Sequence, residues 1–223
     1  MWNRRSLLLN ILGCCLGSVL VACSTQEPVT DKRPTESAAA SIRVNVARDS
    51  GAEGWMLAAA CFGCHGPQGR SQAPEVPSLA GLSETYFFNV MQAYQYGGRY
   101  SSVMGRIAQG YQDGEIRRMA RYFKAQTPET RTQRVNWREV GKGRQLHQRY
   151  CRDCHGDPTT QPDHDAVRLD GQWMNYLRWT LQDYVIGINQ SQPEMADALA
   201  DLMRRQGAAG LESLIHYYGS AGP

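Results

Sequence analysis

Two short stretches carry side chains with a chemistry of their own: Cys61-Phe62-Gly63-Cys64-His65 and Cys151-Arg152-Asp153-Cys154-His155. In each, two thiols lie three residues apart, about one helical turn, and an imidazole follows directly. That C-x-x-C-H order suits covalent attachment of haem, with the thiols bonded to the vinyl groups along one porphyrin edge and the imidazole as proximal ligand to iron. The two histidines are 90 residues apart, and each motif is followed by glycine, Gly66 and Gly156.

Other chemistries fit less well. A structural zinc site has little use for a histidine directly after each second cysteine, and 90 residues is a long separation for one four-ligand site. A thioredoxin-like redox pair needs a βαβ context, and none is visible. Zinc and dithiol exchange are therefore the weaker readings.

Haem bound in this way still needs a sixth ligand or an open position. Methionine favours ferrous iron and electron transfer; an open iron favours ligand binding or catalysis. After the first motif come Met91, Met104 and Met119. Met91 and Met119 sit in helical patterns, where methionine usually fills core. Met104 sits in the loop between Gly97 and Gly105, 39 residues beyond His65, and is the candidate. In the second half Met174, Met195 and Met203 compete, and Met195, 40 residues beyond His155, occupies the place that matches Met104. His147 precedes Cys151 on one helix and cannot reach the opposite haem face. His164 would ligate only if its polar loop folded over the haem, and His216 reads as a packing or surface residue.

The elements that must position these groups repeat with the same period. At an offset of 90, Leu79-Ala80-Gly81 falls on Leu169-Asp170-Gly171, Tyr86 on Tyr176, Gln92 on Gln182, Tyr94 on Tyr184 and Gly97 on Gly187. Gly51 falls on Gly141. The chain is a tandem duplication, and each unit has helical periodicity without strand alternation. The patterns predict an opening helix over 52–65 and its copy over 142–155. Middle helices are predicted over 84–96, with Ser83 as N-cap, and over 173–186. Final helices follow over 113–126 and 194–218, the second long or broken near Gly207 and Gly210. The expected class is all-α: two tandem class I domains, each of three to four helices around one covalent haem. Their expected extents are 50–126 and 138–223, joined by a linker over 127–137.

Composition excludes several functions. Charged residues make up 20% and aromatic residues 9% of the 223, and the net charge of +3 is too small for a nucleic-acid face. Four of seven cysteines belong to the motifs, and the rest, Cys14, Cys15 and Cys23, lie in the first 23 residues. Residues 1–22 have the layout of a secretory signal, basic at Arg4 and Arg5 and then apolar. Leu20-Val21-Ala22-Cys23 resembles the lipobox of bacterial lipoproteins, implying cleavage before Cys23 and its acylation. Residues 23–49 are polar and proline-containing, a tether of root-mean-square reach about 25–30 Å. The expected address is the periplasmic side of a bacterial membrane, lipid-anchored, with a soluble periplasmic protein as the alternative.

A family resemblance rests on more than the haem motifs. Val103-Met104-Gly105-Arg106-Ile107-Ala108-Gln109-Gly110-Tyr111 and Met119-Ala120-Arg121-Tyr122-Phe123-Lys124 look like the dihaem subunit of flavocytochrome c sulfide dehydrogenase. So do Leu169-Asp170-Gly171-Gln172-Trp173 and Gly207-Ala208-Ala209-Gly210-Leu211-Glu212, the whole similarity covering about residues 50–219. The resemblance implies two covalently bound haem c groups, held through Cys61, Cys64, Cys151 and Cys154. It implies His65/Met104 and His155/Met195 as axial pairs. It further implies a flavoprotein partner that oxidises sulfide at FAD, entry of electrons at the first haem, passage to the second, and exit to a small soluble cytochrome c. FAD would belong to the partner alone, and no substrate-converting site is expected in this chain. Asp170, in place of the usual alanine, and the lipid anchor depart from the family. An independent dihaem carrier of the cytochrome c4 kind, feeding a terminal oxidase, is the competing reading; a haem-based catalyst or sensor with an open iron is the third.

Overall fold

The computed structural model describes residues 52–158 and 167–220, all within one compact unit. The signal, Cys23 and its tether, Gly51 and His164 lie outside the described residues.

The first motif does not continue a long helix. Helix α1 covers Gly54–Ala59, and a separate single turn, α2, covers Phe62–His65. Between them the hydrogen bonds tighten to three-residue spacing, with Ala60 N–H donating to Leu57 O and Cys61 N–H to Ala58 O. His65 N–H then reaches Cys61 O at 2.9 Å, so the motif is one closed α-turn. A 3₁₀ turn follows at Pro67–Gly69.

The middle helix, α3, spans Glu84–Tyr96, with the Ser83 hydroxyl accepting from Tyr86 N–H as the sequence implied. Helix α4, Met104–Ala108, and helix α5, Asp113–Lys124, complete the first repeat. Glu115 closes a capping box at the start of α5 by accepting from Gln112 N–H. Phe87, Ile116, Met119 and Phe123 anchor this core, and a ring as buried as Phe123 contributes roughly 1.5–3 kcal/mol.

Helix α6, Trp137–Tyr150, starts five residues before the periodicity placed it, because the Asn136 side chain caps it by accepting from Arg138 N–H. Cys151 breaks it with φ −124° and ψ −27°, and α7, Arg152–His155, repeats the single-turn motif. Helix α8 is Met174–Val185, and α9 is Pro193–Gly219. Gly207, at φ +62°, divides α9 into two pieces, the break the sequence had suggested. The second core gathers Leu177, Leu181, Leu202, Leu214, Ile215 and Tyr218.

In both repeats the first helix crosses the last at a glycine. A Cβ on Gly54 would stand 2.4 Å from Arg118 O on α5, and one on Gly143 would stand 2.1 Å from Ser213 O on α9. Gly141, which the repeat pairs with Gly51, is not the contact: it has open space around it. The Leu-x-Gly turns also correspond. Gly81 N–H donates to Phe123 O at 2.8 Å, and Gly171 N–H to Tyr218 O at 2.9 Å. Pro128 and Thr130 of the connecting segment lie against these two glycines in turn.

The repeats meet through equivalent elements. Arg99 and Asn189, 90 residues apart, form an isolated antiparallel bridge, and no strand occurs among the described residues. Arg99 is buried, at 6% exposure. Its Nη2 donates to Tyr176 Oη at 2.9 Å and Thr180 Oγ1 at 2.8 Å, and it lies 5.3 Å from the Tyr94 ring centre. Burial raises the Tyr94 phenol to about 12 and the Tyr86 phenol further, so this aromatic collar stays neutral around the cation.

Candidate haem sites

The two histidines are held alike. His65 Nδ1 donates to Pro77 O at 2.8 Å and His155 Nδ1 to Val167 O at 3.1 Å, each partner twelve residues downstream. With the proton on Nδ1, the Nε2 lone pair is available for a metal, and the carbonyl fixes the ring and raises its basicity. Burial lowers both histidine pKa values below the usual 6.5, against the opposing pull of the carbonyl bonds, which keeps the imidazoles in the neutral, ligating form.

The thiols fit attachment better than redox exchange. All four are unpaired; Cys61 and Cys151 are half-buried, and Cys64 and Cys154 are exposed. Burial pushes the Cys61 thiol up to about 11, with neighbouring Cys64 adding to the rise, and burial also raises Cys151. A dithiol redox motif needs a depressed value, so these cysteines have the wrong electrostatics for it. No cluster of three or more His, Cys, Asp or Glu side chains that could hold a metal ion occurs among the described residues. The donor set that remains in each repeat, two free thiols and an oriented imidazole on one turn, fits haem c.

Both proposed methionine ligands lie at the start of a helix. Met104 is the first residue of α4, its N–H donating to Ser101 Oγ, and it packs partly buried against the first core. Met195, third in α9, is partly buried against the second. Met91 and Met119 are core, at 5% and 0% exposure, and Met174 is buried too. Met203 shares the partial burial of Met195, so the duplication remains the argument between them.

Two residues have roles that periodicity could not supply. His147 is fully buried, with Nδ1 3.0 Å from Tyr218 Oη and Nε2 2.8 Å from Gly156 O. Both ring nitrogens are engaged, which rules it out as a ligand and makes it a tie between α6, the residue after the second motif and the end of α9. The first repeat has Leu57 and Phe123 in the matching places, an apolar pair for a polar one. Burial lowers the His147 pKa below 6.5, partly opposed by its bond to Gly156 O. The unfolded chain therefore takes up that proton first, and the stabilisation present above about pH 6.5 is lost as pH falls. In the haem-loaded protein, Tm should drop between pH 7.5 and 5, and His147→Leu should flatten that drop. Asp170 is accommodated by a bidentate ion pair with Arg168 and by its own N–H donating to Pro158 O.

No family model matches the chain. Among individual proteins, it is 38% identical over 69 residues to cytochrome c-554(548) of Halomonas halodenitrificans, covering 30% of this chain and 83% of that protein. The chain belongs to the cytochrome c family and carries electrons. Two relatives narrow the comparison. Cytochrome c4 of Azotobacter vinelandii is 29% identical over 183 residues, 74% of this chain and 87% of its own length. The cytochrome subunit of sulfide dehydrogenase from Chlorobaculum tepidum is 41% identical over 70 residues, 31% of this chain and 63% of that subunit. The fold matches reduced cytochrome c4 from Pseudomonas stutzeri with a TM-score of 0.66 at 23% identity, over 75% of this chain and 96% of the other. The all-α, tandem class I architecture is thereby shown.

Proposed function

We propose that the chain holds two covalent haem c groups and accepts electrons, one at a time, from an FAD-containing sulfide-oxidising subunit. The observation that carries the haem assignment is the repeated triad of two free thiols and an imidazole whose Nδ1 is tied to a carbonyl. Haem, when bound, would supply a one-electron acceptor, so that two of them can take in succession the two electrons held by reduced flavin. The chain's own residues would hold the haem: Cys61, Cys64, Cys151 and Cys154 as thioether tethers, His65 and His155 as imidazole ligands, and Met104 and Met195 as thioether-sulfur ligands. The Arg99–Asn189 interface holds the repeats together, so that two electrons can be stored in succession.

The partner assignment rests on the Met104 segment and on the 41% identity to a sulfide dehydrogenase cytochrome subunit. Native purification tests it: co-elution with a flavoprotein and sulfide-dependent reduction of both haems support it. A flavin-free monomer, with sulfide-dependent reduction of the small acceptor cytochrome intact after deletion of this chain, would sink it. The second reading, an independent dihaem carrier feeding a terminal oxidase, is favoured by the match to cytochrome c4 across both repeats. Reduction by a quinol-oxidising donor without any flavoprotein would select it.

The membrane anchor rests on the sequence around Cys23. No helix among the described residues is long and apolar enough to cross a membrane. Acylation of Cys23 would hold the protein at the periplasmic face through buried acyl chains. Cys23→Ser should then move the cytochrome from the membrane fraction to the soluble one.

A further inference from the structure

The Pro77–Ser78 peptide is bonded at both ends. Its carbonyl accepts from His65 Nδ1 at 2.8 Å, and its N–H donates to Gln172 Oε1 at 3.1 Å. Gln172 belongs to the other repeat. Its Nε2 also donates to Ser78 O at 3.2 Å, and its Oε1 accepts from Trp173 N–H at 3.1 Å. The backbone of Gln172 is itself held, with Gln133 Nε2 donating to its carbonyl at 2.9 Å. One side chain thus grips the segment behind the first proximal histidine at two points, and its own position is fixed.

We propose that Gln172 is a positioning residue of the second repeat that tunes the haem of the first. It acts through the Pro77–Ser78 peptide on His65. A peptide whose N–H is engaged has a more polarised carbonyl, because hydrogen bonds in series strengthen one another by perhaps 10–30%. The stronger acceptor draws the Nδ1 proton further and makes Nε2 a better donor to iron. Added electron density on iron favours the ferric state, so Gln172 lowers the potential of the first haem.

The arrangement is one-sided. At the position matching Gln172 the first repeat carries Leu82, whose side chain has nothing to offer the Val167–Arg168 peptide. The His155 bond to Val167 O is also the longer, at 3.1 Å. Two sites that the duplication made alike are therefore distinguished by a residue at their interface. The sense of the difference favours passage from the first haem to the second. This inference rests on the haem assignment proposed above, and not on the identity of the electron donor.

The test uses the full haem-loaded chain with Gln172→Leu, the residue found in the other repeat, and Gln172→Met as an unbranched second variant. Redox titration followed by NMR of the haem methyl signals gives each haem its own reduced-to-oxidised ratio. Loss of the Gln172 acceptor for Ser78 N–H, the bond that polarises the Pro77 carbonyl, should raise that ratio at the first haem by about threefold at fixed ambient potential and leave the second unchanged. The His65 Nδ1 proton should move upfield as its bond weakens. Simple loosening of the interface would admit water and lower the ratio instead. No change at the first haem, a fall there, or an equal shift at both haems overturns the proposal. A wild-type protein without two haems would overturn the earlier assignment and leave nothing for Gln172 to tune.

Discussion

Met104→Ala is expected to lower the potential of the first haem by on the order of 0.1–0.3 V, within the roughly 0.8 V range that axial ligands command. The covalent haem should remain, because Cys61 and Cys64 are untouched. Methionine stabilises ferrous iron through a soft thioether; alanine leaves water or an added ligand in its place. The first haem should lose its methionine-to-iron charge-transfer band and bind imidazole or cyanide, while the second keeps its spectrum. Met104 is suited to the role by its place: it opens α4 after a loop, whereas Met91 and Met119 are sealed in the core. An unchanged potential and band in this variant would remove Met104 from the ligand set.

Gly143→Ala should cost the second repeat about 1–3 kcal/mol or more, since its new methyl would sit 2.1 Å from a backbone oxygen of α9 and 2.7 Å from Tyr217 Cβ. Neither neighbour is a flexible chain end, so helices α6 and α9 must separate. At about 4–8 °C per kcal/mol for a repeat of this size, calorimetry should show a lower transition by several degrees at the least. Gly141→Ala, two residues earlier on the same helix and in open space, serves as the control. It should stabilise by about 0.5–1 kcal/mol through helix propensity alone. Equal behaviour of the two variants would show that the crossing is looser than the structure has it.

These two residues also show where the sequence stopped being readable. An offset of 90 aligned Gly51 with Gly141, and the pattern had no means of saying that the crossing falls at Gly54 and Gly143, an offset of 89. Helix α3 was legible to the residue, because Ser83 announces it and its apolar spacing is local. The break in α9 was legible at Gly207 for the same reason. The opening helix was not: its pattern runs unbroken through Ala60 and Cys61, but local tightening there sets the first motif on its own turn, and the backbone angles of Cys151 do the same for the second. Likewise Asn136 looked like linker, although its amide caps α6. The motif residues were legible because covalent chemistry constrains their spacing along the chain. Arg99, His147 and Gln172 act on groups 71–94 residues away, and such partners leave no trace in a single sequence.

The bridge between Arg99 and Asn189 joins two positions that the repeat makes equivalent. A residue that touches its own counterpart across an interface is the mark of two-fold symmetry, the geometry of a dimer of identical subunits. The two halves therefore meet as a homodimer would, with fusion substituting for self-association. Fusion frees each half to diverge without spoiling the other: one side of the axis keeps a cation, and its mate became an amide. It also makes assembly independent of protein concentration, since the Pro128–Thr130 segment holds the partner at an effective concentration of about millimolar. A cytochrome built this way stays paired at the dilution at which free subunits would part.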